Sequence, residues 1–336
     1  MTRLAGGVSV VVMFVLVAVG GCTSMSAPWS TKAEATAVEA DKFAEDRNGG
    51  AEPVPFDAKR AMGYLEQVCK IGPRISATDG MSKQQELLKK HFEDKGAKVT
   101  FQKFTARQHD HEPVEMANMI ISWQPDKPRR VILCSHYDTR PIADQEPQQK
   151  KWHEPFISAN DGGSGVALLM ELANHMKDLK TNVGVDFVFF DGEEYVFKQG
   201  DAYFFGSQHF ASEYAKSQTK KDAPTYVGAI LLDMVGGKKA KFPVEQNSWS
   251  LASGLVREIW KIAGEQKCTA FRGDEFSKFA VEDDHLALNK VRIPAVDIID
   301  FDYEHWHRLS DLPEYCSGDT LEQVAKVVSV WIQRVK

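Results

Sequence analysis

The sequence predicts an α/β fold: a mixed, mostly parallel twisted sheet flanked by helices on both faces, in a single domain. Three observations carry this. From residue 57 onward, stretches of helical apolar period alternate with short β-branched and aromatic runs. Two of those runs follow each other with no helix between, which places a hairpin in the sheet. No linker-like stretch interrupts residues 53–336, so one core of some 280 residues is expected.

The elements follow in order. FDAKRAMGYLEQVCKIG places Phe56, Met62, Leu65 and Val68 at helical spacing and stops at Gly72-Pro73. MSKQQELLKKHFEDKG is a second helix, closed by Gly96. KVTFQKF and EMANMIISW read as hairpin strands across the polar HDHEP turn, and RRVILCSHYD as a third strand. The polar run RPIADQEPQQKKWHEPFISA exceeds an ordinary connection, which marks it as functional or mobile. NDGGSGVALLMELANHMKDL then opens a helix whose apolar period runs from Val166 to Leu179. VGVDFVFF, YVGAILLD and IPAVDIIDFD are strands, interleaved with the helices SQHFASEYA and SWSLASGLVREIWKIAG and followed by TLEQVAKVVSVWIQRV. Such βα alternation produces parallel neighbours with helices on both faces.

The amino terminus has its own logic. Arg3, the apolar run Val8 to Val19 and the small residues before Cys22 read as an export signal, too short to span a membrane. The ending Val19-Gly20-Gly21-Cys22 resembles a bacterial lipobox. That resemblance implies cleavage after residue 21, lipid on Cys22 and a chain held at a bacterial cell membrane, on the periplasmic or outer-membrane side. Residues 22–52, rich in Ala, Ser, Thr and charge, read as a flexible tether, leaving 53–336 as the catalytic domain. With 41 Lys plus Arg against 47 Asp plus Glu, the net charge is −6, and no basic stripe points to nucleic acid. Cys69, Cys134, Cys268 and Cys316 are irregularly spaced, and an exported chain permits up to two disulfides among them without assigning any. A monomer is expected.

The function lies at the ends of the strands. In open α/β sheets, ligands sit outside the carboxyl ends of the strands. His136 and Asp138 follow VILCS, Asp191, Glu193 and Glu194 follow VDFVFF, Asp233 ends VGAILLD, and His305 and His307 follow AVDIIDFD. All should face one crevice. So many carboxylates repel one another unless a cation compensates them, and mixed His and carboxylate ligands without cysteine favour zinc.

Those residues carry a resemblance. HYD (136–138), NDGGSG (160–165), FFDGEE (189–194), LLDMVGG (231–237) and HWH (305–307) resemble the zinc aminopeptidases of the M28-like superfamily. More closely, HYDTRPIAD, FFDGEEY with FFGSQHFA, LLDMVGGK, EDDH and WH, in that order, resemble the glutaminyl cyclases, particularly their bacterial secreted or lipoprotein forms, over residues 56–336. The resemblance implies Asp161, Glu194 and His307 as ligands of one zinc ion and Glu193 as the proton carrier. It implies Asp233 and Asp283 as further catalytic acids and Trp306 as an indole packed along the substrate. The implied reaction converts the N-terminal glutamine of peptides or proteins to pyroglutamate, with release of ammonia.

The ligand inventory leaves an alternative open, because aminopeptidases hold a second zinc with residues matching His136 and Asp233. Trp306 and Asp283 favour the cyclase. A peptidase-like fold that only binds a partner is the third class, yet no ligand is missing here. One departure stands out: animal cyclases carry a histidine where this chain has Asp297.

Blander roles are weighed for the rest. Asn160-Asp161 opens a helix, so Asp161 is expected to cap it as well as coordinate. Gly162, Gly163 and Gly165 lack the lysine and spacing of a phosphate loop. His305 lies two positions from His307 on an extended segment, so only one of the pair reaches the metal, and the resemblance favours His307. His109 and His111 belong to a solvated hairpin tip.

Overall fold

The structure, a computed structural model, describes residues 50–336. The export signal, Cys22 and all but the last three residues of the tether lie outside the described residues. Among the described residues, no helix is long and apolar enough to cross a membrane.

Helix α1 spans Ala58–Cys69. Asp57 starts it by accepting the Arg60 amide, and Ala61, Leu65 and Val68 bury one face. Gly72, at φ 91°, and Pro73 prevent continuation. Helix α2 (Asp79–Asp94) follows, with Met81, Gln84, Leu88 and Phe92 inward. Strands β1 (Lys98–Ala106) and β2 (Val114–Trp123) form the expected hairpin, paired from Lys98 opposite Ser122 to Ala106 opposite Val114.

Next come β3 (Arg129–His136), helix α3 (Gly163–Met176), β4 (Gly184–Phe190), α4 (Phe205–Ser217) and β5 (Thr225–Asp233). The chain closes with β6 (Phe242–Val244), α5 (Gln246–Glu265), β7 (Phe271–Phe276), α6 (His285–Lys290), β8 (Ala295–Ile299) and α7 (Gly318–Arg334). The main sheet has the order β1-β2-β4-β3-β5-β8. β2 meets β4 antiparallel, whereas β4, β3, β5 and β8 run parallel, so the sheet is mixed and mostly parallel as expected.

Alternation on β3 divides the interior. Val131 and Leu133 face the larger core with Phe92, Phe187, Leu169 and Trp331, while Ile132 and Cys134 face Phe210 and Leu288 on the opposite side. β4 is buried along its whole length, which explains why VDFVFF shows no polar alternation. Truncating such a fully buried ring as Phe187 to alanine costs about 3–5 kcal/mol.

Some elements escape the sequence pattern. β6 and β7 pair in a separate two-stranded ribbon, and α6 has only six residues, too few to display a period. The four cysteines are all free and buried, which leaves no disulfide in the described domain.

The topology fixes where a ligand sits. From β3 the chain crosses to β4 on one side, then returns across β3 to β5 on the other. That reversal opens a crevice at the carboxyl end of β3, bounded by the segments leaving β4 and β5.

Candidate metal centre

His136 is the last residue of β3 and is buried at the mouth of this crevice. Its Nε2 lies 3.0 Å from Asp161 Oδ1 and 3.3 Å from Asp233 Oδ1; its Nδ1 lies 3.7 Å from Glu193 Oε2. Asp233 ends β5. Asp161 stands immediately ahead of Gly162 and α3.

Glu193 and Glu194 are turned into the site by Gly192. This glycine has φ 72°, and a Cβ on it would lie 2.5 Å from Met116 Sδ. A glutamate pair on a plain extended strand would point to opposite faces; the bend lets both enter. Their backbone amides are held by one carboxylate: Asp138 Oδ1 accepts from Glu193 at 3.1 Å and Oδ2 from Glu194 at 3.0 Å. A second buried carboxylate does the same across the site, where Asp311 accepts from the amides of Asn160 at 2.9 Å and Asp161 at 3.1 Å.

His307 Nε2 meets Glu194 Oε1 at 2.5 Å and lies 3.5 Å from Asp161 Oδ2. Its Nδ1 is 2.9 Å from Asp144 Oδ1. An ionised Asp144 can only accept, so Nδ1 carries the hydrogen and Nε2 faces inward, as for a metal-ligating histidine with a carboxylate behind it.

Two sets of three donors thus converge and share Asp161: Asp161, Glu194 and His307 in one, His136, Asp161 and Asp233 in the other, with each set's ligand atoms within 4.8 Å of one another. A third grouping joins His136 with Glu193 and Glu194. Both ring nitrogens of His136, Asp161 Oδ2, Glu194 Oε2 and Asp233 Oδ1 are buried with no hydrogen-bond partner. Buried polar atoms are ordinarily satisfied, because leaving one bare costs about 1–3 kcal/mol. His136 Nε2, Asp161 Oδ2, Glu194 Oε2 and Asp233 Oδ1 are atoms of the types that bind divalent metals, and their gathering around the shared Asp161 fits a metal centre.

Electrostatics agree. Burial, and then the charge of Glu194, pushes the Glu193 carboxyl well above its usual range. Asp283 is raised strongly by burial and then by Asp233, and Asp233 is itself raised by burial against the pull of His136. Although burial opposes it, Glu194 and Asp144 lift His307 to about 9. A cation in this pocket would reverse much of this by favouring the ionised carboxylates and the neutral imidazoles.

The sequence-predicted residues therefore sort clearly. His136, Asp161, Glu193, Glu194, Asp233 and His307 come together. Asp283 is buried behind them, and its Oδ1 accepts the Asp284 amide at 2.6 Å. Trp306 packs its ring 4.1 Å from the His307 ring and 5.0 Å from Phe301, joining the cluster of Met234, Val281, Ile299 and Tyr303.

Two expectations need correction. Asp161 does not cap α3: Gly162, at φ 71°, occupies the cap position without a side-chain bond, and the Asp161 carboxylate points to the histidines instead. Asp191 turns away from the crevice to accept from Ser76 Oγ at 2.7 Å and the Ala117 amide at 2.8 Å, which ties β4 to neighbouring segments. The His305–His307 pair behaves as expected: His305 binds Ser310 Oγ at 2.8 Å and stacks near Tyr315, so His307 alone of the pair enters the site. His109 is exposed at the hairpin tip, as its polar surroundings predict.

Sequence reading gave no role to Asp144 and Asp311. Asp144 lies inside HYDTRPIAD, so the segment was visible even though this side chain went unassigned. Asp311 lies in a loop with no pattern around it.

A mostly parallel α/β sheet with buried His and carboxylate side chains gathered at its strand ends defines a class: α/β proteins whose site is built to hold a metal ion. Comparisons with known proteins narrow it. Residues 118–332 match the model for peptidase family M28. The crystal structure of a glutaminyl cyclase from Fimbriiglobus ruber superposes with a TM-score of 0.82 at 50% identity, covering 85% of this chain and 97% of that one. A Zn-dependent exopeptidase from Parabacteroides distasonis superposes with a TM-score of 0.75 at 31% identity, over 83% of this chain and 98% of the other. The bovine glutaminyl-peptide cyclotransferase is 23% identical over 243 residues, which span 64% of this chain but only 65% of the bovine protein. The chain belongs to peptidase family M28 and, within it, is a homologue of the glutaminyl cyclases.

Proposed function

We propose that this protein is a zinc-dependent glutaminyl-peptide cyclotransferase, which closes the N-terminal glutamine of a peptide or protein into pyroglutamate and releases ammonia. The observation that carries the reading is the convergence of Asp161, Glu194 and His307 on one point, with Glu193 alongside, in a chain half identical to a bacterial glutaminyl cyclase. Asp161, Glu194 and His307 would hold the zinc, which when bound polarises the carbonyl that is attacked.

The rest is the work of this chain's own groups. The substrate's α-amine attacks its own side-chain carbonyl, so the nucleophile is already tethered and the protein supplies mainly orientation. Glu193 takes the proton from that amine and returns it to the departing ammonia. Its burial beside Glu194 raises its proton affinity, which suits a group that must both accept and donate. Trp306, next to His307, offers an aromatic face against which the glutamine side chain can lie. Asp233 and Asp283, both raised by burial, are placed to share protons behind Glu193. The signal and Cys22 extend the proposal to an exported protein held by lipid at a bacterial membrane.

One observation favours a second reading. His136, Asp161 and Asp233 could hold another ion, as a two-zinc aminopeptidase requires. Offering the purified protein a Gln-initiated and an Ala-initiated peptide, with zinc counted per chain, separates the two. Ammonia release with one zinc supports the cyclase; chain shortening with two supports the peptidase.

A further inference from the structure

The loop that follows β3 holds the centre from one side, and its anchor is a buried guanidinium. Arg140 is 3% exposed along its side chain. Its Nη2 donates to Asp144 Oδ2 at 2.9 Å and to the Tyr203 hydroxyl at 3.1 Å, and the group lies over the Tyr203 ring, 5.4 Å from its centroid. Nη1 stands 3.7 Å from Glu194 Oε1, and neither Nη1 nor Nε has a hydrogen-bond partner.

The same loop grips the segment that carries His307. Asp144 holds the His307 ring, the Gln145 amide donates to the His307 carbonyl at 3.2 Å, and Glu146 Oε1 accepts the Leu309 amide at 3.0 Å. His307 needs gripping: its φ of 53° lies in the left-handed region, which an L-residue occupies only under restraint. Asp144 is partly exposed, and without Arg140 its carboxylate could turn to water.

We propose that Arg140 is a positioning residue that fixes both sides of the metal centre at once, through Asp144 to His307 and by its charge to Glu194. The inference rests on the metal reading above. A guanidinium is required because only a planar fork can face two carboxylates and a phenol together; an ammonium is a single point of charge. A buried guanidinium with two bare donors is poor design for stability alone, which argues that it is kept for the carboxylates it faces.

The test measures zinc affinity of the full chain by competition with a chromogenic chelator, beside the melting temperature of the metal-free protein. Arg140→Ala should raise the zinc dissociation constant about 10–100-fold, the range for loss of a partner behind a metal ligand. Arg140→Lys should recover only part of that loss. Asp144→Ala should weaken binding similarly, and the double variant should lose less than the two single losses multiplied, because the two residues share the route to His307. Wild-type affinity in Arg140→Ala, or losses that multiply in the double variant, would overturn the inference. If Arg140→Ala does not fold, Arg140→Lys and Tyr203→Phe decide by the same criterion: unchanged affinity in both overturns it. A wild-type protein that binds no zinc would instead sink the metal reading itself.

Discussion

The carboxylate of Asp138 receives the backbone amide of Glu194 at 3.0 Å, and its other oxygen receives that of Glu193. Asp311 treats Asn160 and Asp161 in the same way. Three acidic side chains of the site thus owe their positions to backbone clamps whose acceptors are themselves buried. A carboxylate can accept two amides side by side, whereas an amide side chain presents one acceptor and one donor.

Asp138→Asn should therefore set an N–H against one of the two glutamate amides. The expected outcome is a 10–100-fold loss in kcat/KM and weaker zinc binding, since supporting partners of metal ligands carry effects of that size. Steady-state kinetics with a Gln-initiated peptide, together with zinc titration, checks both.

Glu193→Gln keeps the shape but removes the proton carrier. Cyclisation should fall by about 10²–10⁴-fold, the usual worth of a positioned acid–base group, with zinc content unchanged. If the variant turns over at the wild-type rate, another group moves the proton. If it loses its metal, Glu193 is a ligand.

How much of this was legible in the sequence can be read from particular residues. Long apolar runs such as VDFVFF and the amphipathic Ala58–Cys69 announce themselves, because burial dictates their composition. The donors at the strand ends were visible for the same topological reason that places ligands there. What stayed hidden depends on where short polar side chains turn. Asp161 and Asp191 are both acids at the edge of an element, yet one enters the centre and the other ties down Ser76 and the Ala117 amide; no local pattern distinguishes them. Asp144 gains its role from a contact with His307 across 163 positions in sequence. The ribbon of β6 and β7 was missed because four of the six residues in β7 are exposed and so carry no apolar signal.

Asp191 gives a pH dependence of stability that does not involve the metal. Burial first, and then the nearby charge of Asp138, raise its carboxyl to about 7, against an ordinary 3.8. Below the unfolded value both states hold the proton. Between the two values only the folded state does, so unfolding releases a proton and rising pH favours it. The stability that Asp191 contributes is thus complete near pH 3.8 and lost by about pH 7, with a slope of up to about 1.4 kcal/mol per pH unit. Asp191→Asn cannot titrate and should flatten that part of the profile. Chemical denaturation of the metal-free protein and of the variant from pH 4 to 8 makes the comparison, and parallel curves would show that Asp191 ionises without cost.

Removing the metal should expose the repulsion that the site contains. Asp161, Glu194 and Asp233 approach one another around two imidazoles, and the orphaned atoms of all three have nothing else to bind. A ligand bound by the folded state alone stabilises it by RT ln(1 + [L]/Kd), about 2.7 kcal/mol at a free concentration 100 times Kd. Chelation should therefore lower the melting temperature by several degrees, and added zinc should restore it in proportion to the logarithm of its free concentration. The triple variant Asp161→Ala, Glu194→Ala, His307→Ala should melt at one temperature with or without zinc. A wild-type protein whose melting ignored both chelator and zinc would leave those bare carboxylates without the cation that their geometry demands.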